Sequence, residues 1–382
     1  MKILMIHPHD IYSASEPWTI RITSIAHEFV KLGHEVKLVY FPLPKQIRGK
    51  LRTKKITEFQ TIPFNRSKWY LLKNMKKMSN LGKWADIIHF QKCFSIASLP
   101  AIYAAYKNNK PLHYDWDDWE YGIYMWSPPS RIYGAYLRIL ENTLPKFVDS
   151  ISVASDELKK MAAKLGFPKE KITKVNVCAD LERFNPKNKS KNFLKKYNLK
   201  KPLVLYLGQL HGAQYTELFI ITAKKILEKK PKINFVIVGG GSDAPRLKHF
   251  VNSLDLNKKI TFTGHVENHE VNQALASADV AVACFADTKQ VRCKSPLKIA
   301  EYLASGKAIV ASNVGEVPWM VGKNGILTEP GNPLSLSTGI LQILKDKKLQ
   351  KNLEKQARKR AEEAFDWKIV ANKLLQKYYK LI

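Results

Sequence analysis

The feature that most constrains the fold is an alternation of short apolar runs with longer segments of helical periodicity. Residues 2–6 form such a run, and apolar side chains then recur at helical spacing from Ile20 to Leu32. Gly33 follows in the position where glycine commonly ends a helix, and residues 34–40 form the next apolar run. Strands that alternate with helices predict a parallel sheet covered by helices on both faces.

This alternation starts a second time after a polar, lysine-rich stretch at residues 185–201, which we interpret as a linker. The strands predicted before it are residues 2–6, 34–40, 87–90, 112–114 and 150–153. The strands predicted after it are residues 203–207, 233–238, 260–262, 280–284 and 308–311. The sequence therefore predicts two doubly wound α/β domains, residues 1–185 and 201–365. Ligands bind beyond the carboxyl ends of the strands in such sheets, so we expect two domains that face each other across a cleft.

Length and composition agree with this organisation. The 382 residues suit two domains, and 63 Lys+Arg against 33 Asp+Glu give a net charge of +30. Such a charge attracts polyanions, namely nucleic acid, anionic lipid or phosphorylated substrates. The four cysteines form no CxxC pair, and neither a signal peptide nor a run of about 20 apolar residues is visible. We therefore expect a cytoplasmic protein without a membrane-spanning segment.

The segment most informative about chemistry covers residues 294–312. It contains a turn, a helix start, one helix, a glycine break and a buried strand. Free amides at a helix start bind phosphate, and Lys294 and Lys298 add positive charge there. Glu301 follows about two turns into the helix, where a carboxylate can accept both hydroxyls of a ribose. An ordinary surface helix with solvated charges is the alternative interpretation of the same spacing.

These residues resemble the nucleotide-sugar motif of family 4 glycosyltransferases, the group 1 retaining enzymes of GT-B fold. Glu301 matches the second of two glutamates that lie eight positions apart in that family, and Cys293 occupies the place of the first. A subset of the family has a Ser-Pro-x-Lys-x-x-Glu-Tyr form, which residues 295–302 resemble more closely. Further blocks follow in the family's order at residues 33–36, 85–89, 180–184, 238–241, 261–265 and 365–367.

The resemblance implies a GT-B fold in which a C-terminal helix, residues 366–382, crosses back to complete the first domain. It implies a retaining hexosyltransferase-type enzyme that moves a sugar from a UDP- or GDP-sugar to a glycan or a polyprenyl-linked acceptor. It implies that no cofactor and no metal are required. The donor-binding residues that it implies are Glu301, Lys294, Ser295, Pro296, Leu297, Lys298, Gly208, Gln209 and Cys293.

The sequence departs from the family pattern at three places. Residues 13–16 replace a Gly-Gly pair of the first loop, and Gln209 and Gln214 replace two phosphate-binding cations. Asp117 replaces a histidine. We expect Arg292, Lys294 and Lys298 to supply the missing positive charge. In the family's scheme the leaving phosphate takes the proton, so no single catalytic base is expected; the acidic candidates near the reaction centre are Asp117 and Glu16.

Residues 115–121 combine acids with aromatic side chains directly after a predicted strand. We expect Asp115 and Asp117 to bind sugar hydroxyls, with Trp116 and Trp119 as stacking walls. Two alternatives remain: an aspartate that caps a helix beside tryptophans of the core, or three aspartates that bind a metal.

Residues 45–83 carry twelve Lys/Arg and a single acid, Glu58, with Trp69, Leu72 and other apolar side chains between them. This pattern is typical of an interfacial helix on an anionic membrane, here the inner face, and a second aromatic cluster around Trp126 adds to it. Solvated faces of a lysine-rich chain are the alternative.

Two other classes of function remain open from the sequence. The charge alone would suit a protein that binds nucleic acid, but no nucleic-acid-reading motif is visible, so nucleic acid is not expected as a partner. A catalytically inactive GT-B protein that serves as partner subunit or scaffold would account for Cys293, Gln209 and Gln214.

Overall fold

The alternating pattern folds into two parallel sheets, each in its own unit. The computed structural model describes residues 1–13, 16–45, 55–188, 191–211 and 215–382. The first unit comprises Met1–Val177, Cys293–Ser295 and Trp367–Ile382, and the second comprises Cys178–Arg292 and Pro296–Asp366.

The first unit contains a seven-stranded sheet in the order β3-β2-β1-β4-β5-β6-β7, with every neighbouring pair parallel. Its strands are β1 (Lys2–His7), β2 (Glu35–Tyr40), β3 (Gln60–Pro63), β4 (Ile87–Gln91), β5 (Leu112–Trp116), β6 (Ser150–Val153) and β7 (Ile172–Lys174). The helices that precede β7 in this unit are α1 (Ile20–Lys31), α2 (Leu71–Gly82), α3 (Ser95–Asn108), α4 (Glu120–Tyr124), α5 (Arg131–Thr143) and α6 (Asp156–Lys164). Short 3₁₀ turns lie at Pro17–Thr19, Lys68–Tyr70, Leu144–Phe147 and Lys169–Lys171.

The second unit contains a six-stranded parallel sheet in the order β10-β9-β8-β11-β12-β13. Its strands are β8 (Leu203–Leu207), β9 (Asn234–Val238), β10 (Ile260–Gly264), β11 (Val280–Ala283), β12 (Ile309–Ser312) and β13 (Gly325–Thr328). Its helices are α7 (Lys191–Lys196), α8 (Thr216–Lys229), α9 (Ala244–Ser253), α10 (Asn268–Ser277), α11 (Lys289–Arg292), α12 (Leu297–Ala304), α13 (Val317–Val321), α14 (Pro333–Lys345) and α15 (Lys347–Ala364). The short helix α7 lies within the stretch predicted as a linker.

The inner strands of each sheet are buried on both faces, as expected for parallel strands between two layers of helices. In β1 every residue after Lys2 is buried, which explains why the strand reads as a continuous apolar run. Helix α1 packs on this sheet through one stripe, with Ile22, Ile25 and Phe29 fully buried. The prediction of two doubly wound α/β domains is confirmed.

The last helix, α16 (Trp367–Tyr378), belongs to the first unit although it follows the second unit in the chain. Its Tyr378 is buried; the hydroxyl lies 2.6 Å from His89 Nδ1 in β4, and the ring contacts Phe29 of α1 edge to face. The predicted return of the C-terminal helix to the first domain is therefore confirmed. In the part of the chain that the structure describes, we find no helix with both the length and the apolar character needed to cross a bilayer.

Candidate active site

The carboxyl edge of the second sheet is built on close backbone contacts. Gly208 follows β8 and donates its N–H to the carbonyl of Val238 at 3.0 Å. A Cβ on Gly239 would lie 2.0 Å from the Gly208 carbonyl oxygen, and a Cβ on Gly241 would lie 2.2 Å from that of Leu210. Glycine is therefore required at positions 239 and 241, because the loops after β8 and β9 pack there backbone against backbone.

Lys298 lies over this glycine edge. Its ammonium is 4.2 Å from the ring centroid of Tyr206 and 5.6 Å from that of Phe285. A Cβ on Gly208 would lie 2.8 Å from Nζ, so glycine makes room for the ammonium. Lys298 is also the second residue of α12, whose N-terminal backbone carries partial positive charge. A cation beside a helix start forms a favourable environment for phosphate.

Glu301 lies one turn further along α12 and is partly buried. Burial raises the pKa of this carboxyl to about 7, although the positive charges of Arg183 and Lys298 act in the opposite direction. Glu301 therefore changes its ionisation state near neutral pH. In its ionised form it can accept two hydrogen bonds from neighbouring hydroxyls.

Arg358 of α15 fixes the segment that carries Arg183. Its Nη1 donates to the carbonyl oxygens of Leu181 at 3.2 Å and Phe184 at 2.8 Å. The same nitrogen donates to the carbonyl of Ala304, the last residue of α12, at 2.8 Å. These bonds tie residues 181–184 to the helix that contains Glu301. Arg183 is thereby kept where its positive charge acts on the Glu301 carboxyl.

The predicted donor-binding residues are divided between the two units. Pro296, Leu297, Lys298, Glu301, Gly208 and Gln209 belong to the second unit, and Cys293, Lys294 and Ser295 belong to the first. The Cys293 side chain is fully buried in the core of the first unit, with its sulfur 3.8 Å from Met161 Sδ. Ser295 is also buried, and its Oγ accepts the backbone N–H of Val177 at 3.0 Å. Gln214 lies outside the described residues.

In the first unit, Asp115 is an internal ion-pair partner. Arg21 of α1 donates from Nε and Nη2 to the two oxygens of Asp115, both at 2.7 Å, and both residues are buried. Ser152 donates its hydroxyl to the same carboxylate at 2.5 Å. The prediction that Asp115 binds sugar hydroxyls is wrong, because β5 extends through Trp116 and faces this carboxylate into the unit.

The prediction for Trp116 needs the same correction. Its ring is fully buried and stacks on Tyr114, with centroids 5.9 Å apart, and its Nε1 donates to Glu141 at 2.9 Å. Glu141 of α5 also accepts the backbone N–H of Glu120 at 2.9 Å and that of Tyr121 at 3.0 Å. These bonds fix the loop after β5, while Trp119 remains partly buried.

Asp117 lies where β5 ends and is held by the end of β4. Gln91 donates from Nε2 to its Oδ2 at 2.7 Å, and the Lys92 ammonium lies 3.2 Å from its Oδ1. Burial raises the pKa of Asp117 to about 7, with Lys92 opposing and Asp118 adding to the increase. Our sequence reasoning missed Lys92; its position directly after a buried strand was the available signal.

Glu16 stabilises the loop after β1 through hydrogen bonds from Arg66 and Asp10 and a close contact with His9. Its carboxylate receives Arg66 Nη1 at 2.9 Å and Nη2 at 2.7 Å, lies 2.9 Å from His9 Nδ1 and accepts the backbone N–H of Asp10 at 2.6 Å. Burial would raise the pKa of Glu16, but these hydrogen bonds outweigh it and lower the pKa to about 2. Glu16 is therefore ionised and fully engaged at neutral pH.

Within the described ranges, no three His, Cys, Asp or Glu side chains are arranged to hold a metal ion. The acids of residues 115–120 face cations instead: Arg21 for Asp115, and Lys92 for Asp117, Asp118 and Glu120.

The predicted interfacial region includes helix α2 and the turn before it. Trp69 and Leu72 are 84% and 79% exposed, and the lysines at 68, 73, 76 and 77 are exposed beside them. Met78, another apolar side chain of this stretch, is buried in the core and therefore does not belong to the exposed surface. Trp126 is exposed as well, whereas residues 46–54, with four of the twelve basic side chains, lie outside the described part of the chain.

The chain is similar in sequence to known glycosyltransferases and in fold to a solved structure. The sulfoquinovosyl transferase of Arabidopsis thaliana is 27% identical over 212 residues, which are 53% of this chain and 39% of that enzyme. A Campylobacter jejuni N-acetylgalactosaminyltransferase named for a diphospho-undecaprenol acceptor is 27% identical over 247 residues, 62% of each protein. The aligned regions thus span less than two thirds of these relatives. The Anabaena protein HepE, solved with UDP-glucose, superposes over 100% of both chains with a TM-score of 0.77 and 17% identity.

Two family models account for most of the sequence. The model described as Glycosyltransferase Family 4 matches residues 19–183, which belong to the first unit as far as Val177. The model described as Glycosyl transferases group 1 matches residues 188–360, which include Gly208, Lys298 and Glu301. With both models matched in this order on two Rossmann-like units, the chain belongs to the group 1 glycosyltransferases of family 4.

Proposed function

We propose that this chain is a glycosyltransferase that moves a sugar from a nucleotide-diphosphate donor, UDP- or GDP-linked, to a glycan or lipid-linked acceptor with retention of anomeric configuration. The observation that carries the proposal is the grouping in the second unit of Lys298, of Gly208, which makes room for the Lys298 ammonium, and of the Glu301 carboxyl. We assign the Lys298 ammonium to the diphosphate of the donor and the Glu301 carboxylate to its ribose hydroxyls.

The donor half of the proposal follows from charge and helix geometry. The Lys298 ammonium and the first amides of α12 neutralise the diphosphate, both in the bound donor and as it leaves. Ionised Glu301 accepts the ribose hydroxyls. HepE was solved with UDP-glucose and shares the fold, which supports a nucleotide sugar as donor here. Lys294 and Ser295, the other charged and polar residues that the resemblance implies for the donor, belong to the first unit.

The acceptor half is assigned to the first unit. Asp117 offers a carboxyl at the carboxyl end of β5, where ligands of parallel sheets bind. In this scheme ionised Asp117, whose pKa burial raises to about 7, accepts a hydrogen bond from an acceptor hydroxyl, while the leaving phosphate takes the proton. Glu16 acts by fixing the loop after β1 through Arg66 and His9. The scheme requires no metal or other cofactor.

The acceptor is proposed to be held at the cytoplasmic face of an anionic membrane. Exposed Trp69 and Leu72, flanked by lysines, provide an apolar and a cationic contact on one short segment. The Campylobacter relative is named for an undecaprenol-linked substrate, which supports a lipid-linked acceptor. This surface belongs to the region of residues 45–83.

A thermal-shift panel tests the proposal directly. Purified protein is heated with UDP, GDP, ADP and their sugars, and the panel is repeated with Glu301→Ala, Lys298→Met and the exposed control Glu363→Ala. A ligand at about 100 times its dissociation constant stabilises by roughly 2.7 kcal/mol. We expect one nucleotide to raise the melting temperature of the wild type and of Glu363→Ala, and to lose its effect in the other two variants. Transfer and hydrolysis of that sugar are then assayed.

A non-catalytic, sugar-binding role is the second candidate, and Cys293 favours it. In the resembling family a glutamate occupies this position, whereas this thiol is packed in the core of the first unit. Nucleotide binding that depends on Glu301, without transfer to any glycan or lipid-linked acceptor, would support this role. A panel in which no nucleotide shifts the melting temperature would contradict both candidates and favour a polyanion-binding protein.

A further inference from the structure

The residue directly after β4 is a buried cation in an uncommon backbone conformation. Lys92 has a φ of +68° and is only 3% exposed. Left-handed backbone is unfavourable for a residue with a side chain, and burial of an ammonium is unfavourable without carboxylates around it. Because strained residues persist where the surroundings require them, this combination points to a need for positive charge at this position.

Three carboxylates surround this ammonium. Its Nζ lies 2.5 Å from Glu120 Oε1, 3.2 Å from Asp117 Oδ1 and 3.9 Å from Asp118 Oδ2. Gln91, the residue immediately before Lys92, donates to the other oxygen of Asp117 at 2.7 Å. Two consecutive residues at the end of β4 therefore hold both oxygens of the Asp117 carboxylate.

We propose that Lys92 is a positioning residue that orients the Asp117 carboxylate and favours its ionised form, and thereby sets the acidic limit of sugar transfer. The inference rests on the proposed function, in which Asp117 faces the acceptor hydroxyl. Lys92 touches no substrate in this scheme and acts only through the carboxylate. Nothing in the family resemblance assigns a role to this lysine.

The charges around Asp117 explain why one lysine has this effect. The charged groups that face it are Lys92, Asp115, Asp118 and Glu120. Lys294 and Arg21 act on the neighbouring Asp118, and His9 lies in the field of Lys92 and Glu120. Without Lys92, like charges and burial would both favour the protonated form of Asp117. A protonated carboxyl no longer presents two charged oxygens that can accept a hydrogen bond from the acceptor hydroxyl.

The test compares the wild type with Lys92→Met and Lys92→Arg. Lys107→Met, an exposed position at the C-terminal end of α3, is the matched loss of one lysine in the same unit. The first readout is the ¹³C NMR titration of the Asp117 carboxyl in the resting protein, assigned with Asp117→Asn. The second is the pH profile of transfer with the donor that the nucleotide panel identifies.

We expect the Asp117 titration to move to higher pH in Lys92→Met. Transfer at pH 7 falls about fivefold or more and recovers as the pH is raised, because loss of a nearby opposite charge raises a carboxyl pKa by about one unit or more, here from about 7. Lys92→Arg keeps the wild-type profile, and so does Lys107→Met. Should Lys92→Met fail to fold, Lys92→Gly replaces it, since glycine adopts left-handed backbone freely.

An unchanged Asp117 titration in a folded Lys92→Met or Lys92→Gly variant would overturn the inference. A loss of transfer that is equal at every pH would overturn it too, because it would indicate a purely structural role. Absence of transfer by the wild type would instead refute the proposed function, while the titration of the resting protein would still decide whether Lys92 controls Asp117.

Discussion

Arg21 and Asp115 form a two-point ion pair inside the first unit, with both hydrogen bonds at 2.7 Å. Arg21 also donates from Nη1 to the carbonyl of Val175 at 2.9 Å, beside the end of β7. One guanidinium thus connects α1, β5 and the segment after β7. A buried pair of this kind is costly to break from one side, since the remaining charge stays buried without a partner.

Replacement of Arg21 by Met should therefore destabilise the protein by about 3–5 kcal/mol. The measurement is urea-induced unfolding followed by circular dichroism at neutral pH. Arg131→Met, at an exposed position of α5, is the matched control and should stay within about 0.5 kcal/mol of the wild type. Similar losses in the two variants would show that the internal pair has no special role.

The buried histidines of the first sheet should make part of the stability depend on pH. Burial lowers the pKa of His89 to about 4 and that of His113 well below its usual value. Unfolded histidine titrates near pH 6.5, so the unfolded chain takes up protons first, and the stability that neutral His89 provides is lost as the pH falls from about 6.5 toward 4.

The destabilisation caused by His89→Gln should accordingly be smaller at pH 5 than at pH 7. Urea unfolding of the wild type and of the variant at both pH values measures this difference. Other titrating groups are shared by the two proteins, so their contribution cancels. His249→Gln, an exposed change in α9, should show the same effect at both values. A destabilisation by His89→Gln that does not vary with pH would disprove this account.

Donor binding should strengthen as the pH rises through neutrality. Since burial raises the pKa of Glu301 to about 7, its ionised fraction, and with it the affinity for a nucleotide sugar, should increase about tenfold from pH 6 to pH 8. Isothermal titration calorimetry with a nucleotide sugar measures this, because a terminal phosphate would itself titrate near pH 6. Glu301→Gln should bind weakly at both values, and Glu363→Gln should retain the pH dependence.

Membrane binding should depend on the lysines of α2. Each cation near an anionic leaflet contributes about 1 kcal/mol, so exchange of Lys73, Lys76 and Lys77 for Gln should strongly reduce sedimentation with phosphatidylglycerol vesicles. The matched control exchanges the exposed Lys348, Lys351 and Lys355 of α15 for Gln. Wild-type binding should weaken with added salt. Equal binding of all three proteins would exclude this surface.

The sequence was sufficient for the inner strands of both sheets but not for most of their edges. The three strands that apolar runs did not predict are β3, β7 and β13, and each lies at the edge of its sheet. In β3 every residue is exposed or only partly buried. Edge strands have a neighbour on one side only, so their sequences need not be continuously apolar.

The candidate site could be located from the sequence only in part. The helix start at Lys298 and Glu301 is local in sequence, which is why a short motif was enough to find it. Asp115 was misjudged because its partner Arg21 is 94 residues away, and no local pattern reports such a pair. The three carboxylates that surround Lys92 follow β5, whereas Lys92 follows β4. They meet only because these two strands are neighbours in the folded sheet.

The position of α16 has a consequence for synthesis on the ribosome. Tyr378 covers His89 and His113 in the first sheet, yet it is translated after the whole of the second unit. A nascent chain that has already emerged through residue 177 must therefore wait, with this part of its sheet uncovered, until α16 has been translated. The unit that is begun first is completed last.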